Sequence, residues 1–157
     1  MNNLKKNISI HFDNKEITLQ IGNNEIYNIQ REIYQKVRCE INKRGTRRFY
    51  NQNDDLHNNG DEAAEIWSNG AKVWWKNGKP HRDGDKPAVI STNRRKAWYQ
   101  NGQLHRDGDK PAVIWTNGSK AWYQNGQRHR DGDKPAVIDK NFKVEYWLNG
   151  KRINIIK

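Results

Sequence analysis

PAVIWTNGSKAWYQ, residues 111–124, reads as two strands folded about a turn. β-Branched and aromatic residues fill PAVIW and KAWYQ, and Asn117-Gly118 stands between them. Alternating apolar runs on both sides of an Asn-Gly pair are the strongest short-range sequence signal for a β-hairpin. With Asn117-Gly118 as a two-residue loop, Trp115 faces Lys120, Ile114 faces Ala121, Val113 faces Trp122 and Ala112 faces Tyr123. Directly opposed residues share a face of the sheet. One face then gathers Ala112, Ile114, Ala121 and Tyr123, apolar throughout. The other gathers Val113, Trp115, Trp122 and Lys120, aromatic with a cation. A second pair, Asn125-Gly126, turns the chain toward its next copy.

The stretch is one copy of several. HRDGDKPAVI occupies residues 81–90, 105–114 and 129–138 without a change. His57, His81, His105 and His129 step by 24 residues, as do Trp74, Trp98, Trp122 and Tyr146. Asn77-Gly78, Asn101-Gly102, Asn125-Gly126 and Asn149-Gly150 keep the same interval. Worn copies precede these: LHNNGDEAAEIWSNG at 56–70 aligns with LHRDGDKPAVIWTNG at 104–118. NKRGTRRFY at 42–50 aligns with WTNGSKAWY at 115–123, followed by one inserted residue. A fixed period in this range marks a repeat array. Residues 39–157 are therefore expected to form a mainly β array: an elongated, twisted antiparallel sheet of stacked 24-residue hairpins, two strands per unit. Asn69, Asn93, Asn117, Asn101, Asn125 and Asn149 are expected in turns.

Residues 1–38 differ. ISIHF–DNK–EITLQI alternates as a short hairpin around Asn14. In NNEIYNIQREIYQKVRCEI, Ile26, Ile29, Ile33 and Val37 recur at helical intervals, with Asn23 or Asn24 as N-cap. The spacing predicts a hairpin-plus-helix cap that covers the open first edge of the sheet.

The chain has 157 residues, of which 33% are hydrophobic and 30% charged, too polar for a thick core. Seven Trp argue against disorder and for a thin layer built from large aromatics. The single Cys39 forms no internal disulfide, which suits a reducing compartment. The start MNNLKKNISIHF holds no apolar run of signal-peptide or membrane-span length. A soluble, cytoplasmic protein is the expectation. The net charge is +11 and unevenly spread: five Lys and Arg against four Asp and Glu in residues 1–36, and 24 against 14 in the remainder. Such a surface draws nucleic acid, an acidic protein or an anionic membrane face, or serves solubility alone.

His105, Asp107 and Asp109 alternate in a way that could surround a metal. The structural reading is stronger. Asp and Gly supply turn chemistry, Lys110-Pro111 opens a strand, and His105 opposes Trp98 and packs on it. Three identical copies also argue against a single catalytic centre. Cys39 and the four Ser have no nearby base in a nucleophile motif, no Gly-rich phosphate loop precedes a helix, and no His/Cys pair has zinc spacing. No enzyme activity, no metal and no cofactor are expected.

The pattern WYQNGQLHRDGDKPAVI, repeated at 24 residues with Asn-Gly turns, resembles the MORN-like variant repeats. Those occur in bacterial antitoxin-type components and, in a close His-Arg-x-x-Gly-Pro-Ala form, in phage and giant-virus proteins. The resemblance covers residues 39–157. It implies a curved all-β repeat sheet used for binding, usually to a protein and sometimes to lipid. HRDGDKPAVI stands where the classical repeat has a Gly-rich core, which argues against the lipid role.

Three function classes follow. The first is a non-enzymatic inhibitor of antitoxin, immunity or phage anti-defence type. It blocks a protein partner, such as a nucleic-acid-processing enzyme or a nucleoprotein complex, in the host cytoplasm if phage-encoded. The second is direct binding of RNA or single-stranded nucleic acid, because basic residues interleave with aromatics. The third, a membrane-surface scaffold, is favoured by charge alone. The expected contact face carries Trp74, Trp98, Trp115 and Trp122 with Lys72, Lys96 and Lys120. Aromatic anchors and cations are what binding surfaces need.

Overall fold

A computed structural model describes residues 6–12, 15–21 and 38–154. At the head, β1 (Lys6–Phe12) and β2 (Lys15–Ile21) form the expected antiparallel hairpin, with Ile8 opposite Leu19 and Ile10 opposite Ile17. The expected helix falls mostly on residues 22–37, outside the described residues. Its last four residues are a correction: Arg38–Ile41 is a strand, β3, paired to β4 (Arg47–Tyr50).

From there every element is a strand. The first full unit holds β5 (Glu65–Ile66), β6 (Lys72–Val73), β7 (Trp75–Lys76) and β8 (Lys79–Pro80). The second holds β9 (Val89–Ile90), β10 (Lys96–Ala97), β11 (Tyr99–Gln100) and β12 (Gln103–Leu104). The third holds β13 (Val113–Ile114), β14 (Lys120–Ala121), β15 (Tyr123–Gln124) and β16 (Gln127–Arg128). The last holds β17 (Val137–Ile138), β18 (Val144–Leu148) and β19 (Lys151–Ile153).

An 11-stranded antiparallel sheet runs in the order β19-β18-β17-β14-β13-β10-β9-β6-β5-β4-β3, and three two-stranded ribbons branch from it. A full unit therefore has four short strands rather than two. The break falls at the Trp. The Trp98 N–H donates to the Ala112 carbonyl at 2.8 Å, while its own carbonyl accepts from the His105 N–H at 3.1 Å. At that residue the strand leaves β13 and joins β12. The intervening His105–Pro111 segment is an excursion on the partner side, and it is the repeated decapeptide that makes it.

The two kinds of Asn-Gly pair fold differently. Asn77, Asn101, Asn125 and Asn149 have φ of 48–49° and each is followed by a positive-φ Gly. Positive φ at both central residues defines the two-residue type I′ turn. At Asn117-Gly118 only the Gly has positive φ. The Trp115 N–H donates to the Ser119 carbonyl and the Gly118 N–H to the Trp115 carbonyl, closing a longer loop over 115–119. The register expected for PAVIWTNGSKAWYQ is corrected accordingly: Ile114 pairs with Lys120 and Val113 with Ala121. A one-residue slip sends one strand's side chains to the other face.

The core is thin, as composition requires. Ala97, Val113 and Ala121 form one cluster, with Val89, Tyr99, Leu104, Trp115, Tyr123 and Val137 against it. Ala63, Trp74 and Ala88 form another, with Ile66, Ile90 and Tyr99 alongside. Ala supplies most of the fully enclosed positions; it lets neighbouring strands and loops come close where a larger side chain would not fit.

Candidate binding surfaces

The decapeptide joins each unit to the next, and its residue types explain how. The Arg106 guanidinium lies over the Trp98 ring, 3.7 Å from the centroid. Its Nε and Nη2 donate to the two Asp85 carboxylate oxygens at 2.6 and 3.4 Å, and its Nη1 to the Pro111 carbonyl at 3.1 Å. Lys110 Nζ donates to the same carboxylate at 2.7 Å. The Trp98 indole N–H donates to the Asp85 carbonyl at 3.1 Å. One aspartate thus receives an Arg, a Lys and an indole from the following unit.

The arrangement repeats with little change. Arg82 and Lys86 converge on Asp61, and Arg130 and Lys134 on Asp109, at 2.6–2.8 Å for the closest contacts. Arg82 covers Trp74 and Arg130 covers Trp122 at 3.7 and 3.9 Å. Hydrogen bonds first from the Arg and then from the Lys hold Asp85 down at about 2 and hold Asp61 and Asp109 well below the usual carboxylate range. The stacking Arg residues and their aspartates were missed by the sequence reading, which placed His105 on Trp98. His105 does oppose Trp98 through its backbone, but Arg106 is the residue over the ring.

The His has a different task. His81, His105 and His129 accept at Nδ1 the backbone N–H of Asn101, Asn125 and Asn149, each 20 residues on, at 3.0–3.1 Å. A backbone donor at Nδ1 leaves the proton on Nε2, which donates to Asp83, Asp107 or Asp131 at 2.8–3.0 Å. Asp83 and Asp107 are lowered by these contacts, first by the His and then by Lys76 or Gln100. Both ring nitrogens are therefore engaged within the protein. Among the described residues no group of three His, Cys, Asp or Glu is arranged to hold a metal ion.

The seven side chains expected on one contact face divide by burial. Trp74, Trp98 and Trp122 are 8%, 7% and 6% exposed, so they pack the array beneath their Arg covers. This corrects the expectation of an exposed aromatic face. Trp115 is half-buried against the Val113 cluster. Lys72, Lys96 and Lys120 are exposed.

Cross-strand pairing sets these three lysines in one line. Ile66 pairs Lys72, Lys72 pairs Ile90, Ile90 pairs Lys96, Lys96 pairs Ile114, Ile114 pairs Lys120 and Lys120 pairs Ile138. The row alternates apolar and cationic side chains across seven strands. With strands about 4.8 Å apart, the ammonium stems stand about 9.6 Å from one another. None of the three lysines has an ion-pair partner among the described residues. The corrected register is what puts Ile beside Lys here, since the two-residue loop would have set Trp115 opposite Lys120.

No family model, curated protein or solved structure matches this chain. Among the described residues, no helix is long and apolar enough to cross a membrane.

Proposed function

We propose that this chain is a non-enzymatic binding protein that blocks an anionic protein partner, in the manner of an antitoxin, an immunity protein or a phage anti-defence inhibitor. The observation that carries the reading is the alternating row from Ile66 to Ile138 with Lys72, Lys96 and Lys120 exposed along it. Isoleucine stems give apolar contact area, and lysines without a carboxylate partner give steering toward an acidic surface. A rigid sheet presents both without reorganising, which lowers the ordering cost of association. The resemblance to MORN-like repeats supports the same reading. A nucleic-acid-processing enzyme in the cytoplasm is the target class that fits a basic blocking protein.

The test places a photo-crosslinking amino acid at Ile114 and, as control, at Gln127 on a ribbon strand, in the producing cell or its host. A protein cross-linked from Ile114 and not from Gln127, and lost in the Lys96→Glu/Lys120→Glu variant, supports the proposal. Exposed charge swaps of this kind cost roughly 0.5 kcal/mol or less, so the variant keeps its fold. The same cross-linked partner at undiminished yield in the double variant would show that the lysines do no steering and would overturn the anionic-partner reading.

A further inference from the structure

Five loops of one geometry line a single edge of the sheet, and they are the part of the repeat that varies. They span residues 42–46, 67–71, 91–95, 115–119 and 139–143 and read NKRGT, WSNGA, STNRR, WTNGS and DKNFK. Each closes with the same two backbone hydrogen bonds, first residue to fifth and fourth to first. The strand order puts all five on the same edge, because every intervening connection crosses at the other end. Successive loops stand about 9.6 Å apart, two strand spacings.

The fourth position of each loop is left-handed: Gly45, Gly70 and Gly118 occupy it with φ of 77–87°, Arg94 and Phe142 with φ of 60°. Glycine meets this demand without strain, and Phe and Arg do not. Nothing in the fold recompenses Phe142, which is 85% exposed. A side chain held out into water at a strained position has its use outside the fold. The company it keeps shows what kind. Lys43, Arg44, Arg94, Arg95, Lys140 and Lys143 all sit on these loops, and none has an ion-pair partner among the described residues. The one carboxylate on the five loops, Asp139, accepts the Asn141 and Lys143 N–H groups at 2.8 Å and is spent on its own turn. Trp67, 44% exposed, adds a second aromatic surface.

We infer that this loop edge binds single-stranded nucleic acid, its cations taking the phosphates and Phe142 and Trp67 stacking on bases. Cations of one sign in a line with exposed rings among them are the arrangement that tracks a flexible polyanion. The five loops extend over about 38 Å, the length of about eleven nucleotides at the stacked rise of ~3.4 Å. The edge adjoins the Ile66–Ile138 row, whose lysines each follow a loop by one residue; what sets the edge apart is its rings and the cations at positions 43, 44, 94, 95, 140 and 143.

The test is fluorescence anisotropy with labelled 12-nucleotide RNA and DNA of mixed sequence, on the full chain, across a salt series. The Arg94→Gly/Phe142→Gly variant should melt higher by a few degrees, because strain is relieved, yet bind at least ten-fold more weakly with a shallower salt slope. The Lys79→Glu variant, on ribbon strand β8 at the far end from the loops, should bind as wild type does. Salt-dependent binding that survives the Arg94/Phe142 change overturns the assignment to this edge. Failure of wild type to bind either oligonucleotide, including a case where polyglutamate binds instead, overturns the nucleic-acid partner.

Discussion

Asn101-Gly102 and Asn117-Gly118 are the same dipeptide on opposite sides of the array, and the fold uses them in opposite ways. At Asn101-Gly102 the turn is held from outside: His81 takes the Asn101 N–H, and the Pro80 carbonyl takes the Gly102 N–H at 2.9 Å. A Cβ on Gly102 would meet the Lys79 side chain at 3.6 Å. At Asn117-Gly118 the turn holds itself, and a Cβ on Gly118 would meet nothing within 4 Å. The contact-rich side belongs to the decapeptide, three times the same. The other side has fewer contacts between units, Trp115 on the Val113 cluster and Arg95 over Trp115 among them, and its five loops have five sequences. Where a residue must fit the unit before and the unit after, its identity is fixed; where it is exposed, as Phe142 and Arg94 are, it is free to be chosen for a partner.

Tryptophan gives the sharpest test of that division. Trp98→Ala removes a ring packed under Arg106 and should cost about 3–5 kcal/mol, since a buried aromatic is lost and Arg106 with the Asp85 carbonyl loses its neighbour. Trp67→Ala, on the loop edge, should stay within about 0.5 kcal/mol. Urea midpoints followed by circular dichroism read both. Equal losses would mean that the loop edge is as much a part of the packing as the ladder is.

Most of this architecture is written in the chain. The 24-residue step, the all-strand character and the Asn in the turns are local signals, and the structure bears them out, although each expected long strand is broken at its Trp. The structural role of HRDGDKPAVI was legible for the same reason. What was not legible is which Asn-Gly turn is which, and a single residue of register decided the faces. A hint was present: Asn69, Asn93, Asn117 and Asn141 are followed by Gly, Arg, Gly and Phe. A type I′ turn needs positive φ at both central residues, which makes Arg and Phe poor choices there, whereas a longer loop strains one position only. The Asp-to-Arg and Asp-to-Lys links, 21 and 25 residues apart, were hidden differently. They depend on each excursion lying against its neighbour, and that is a property of the stack rather than of any one unit.

The turn assignment can be tested by one atom group. Asn101→Ala should cost about 1–2 kcal/mol, because an alanine must then hold the left-handed conformation that asparagine tolerates. Asn117→Ala should cost about 0.5–1 kcal/mol, the worth of the Oδ1 bond from the Ser119 N–H, since its φ is ordinary. Thermal melts of the pair give the ranking. The reverse order would restore the two-residue loop at Asn117 and with it the other assignment of faces.

Acid should separate the two edges more gently. Asp85 sits at about 2 because Arg106, then Lys110, hydrogen-bond its charged form. An unfolded aspartate titrates near 3.9, so the folded state holds the charge more strongly and the contribution is complete above that value. It fades as pH falls from about 4 toward 2. The Asp85 side chain is 45% exposed, so screening keeps its share to about 1 kcal/mol or less. Asp61 and Asp109, lowered by the same pairs of cations, act in the same direction. Asp85→Asn should therefore lower stability slightly at pH 6 and flatten its decline between pH 4 and 2, read by urea titrations at each pH. Arg94→Gly, on the loop edge, should shift the whole curve without changing its slope. A variant at Asp85 with the wild-type slope would mean that the ladder holds by stacking and shape, with its charges adding nothing.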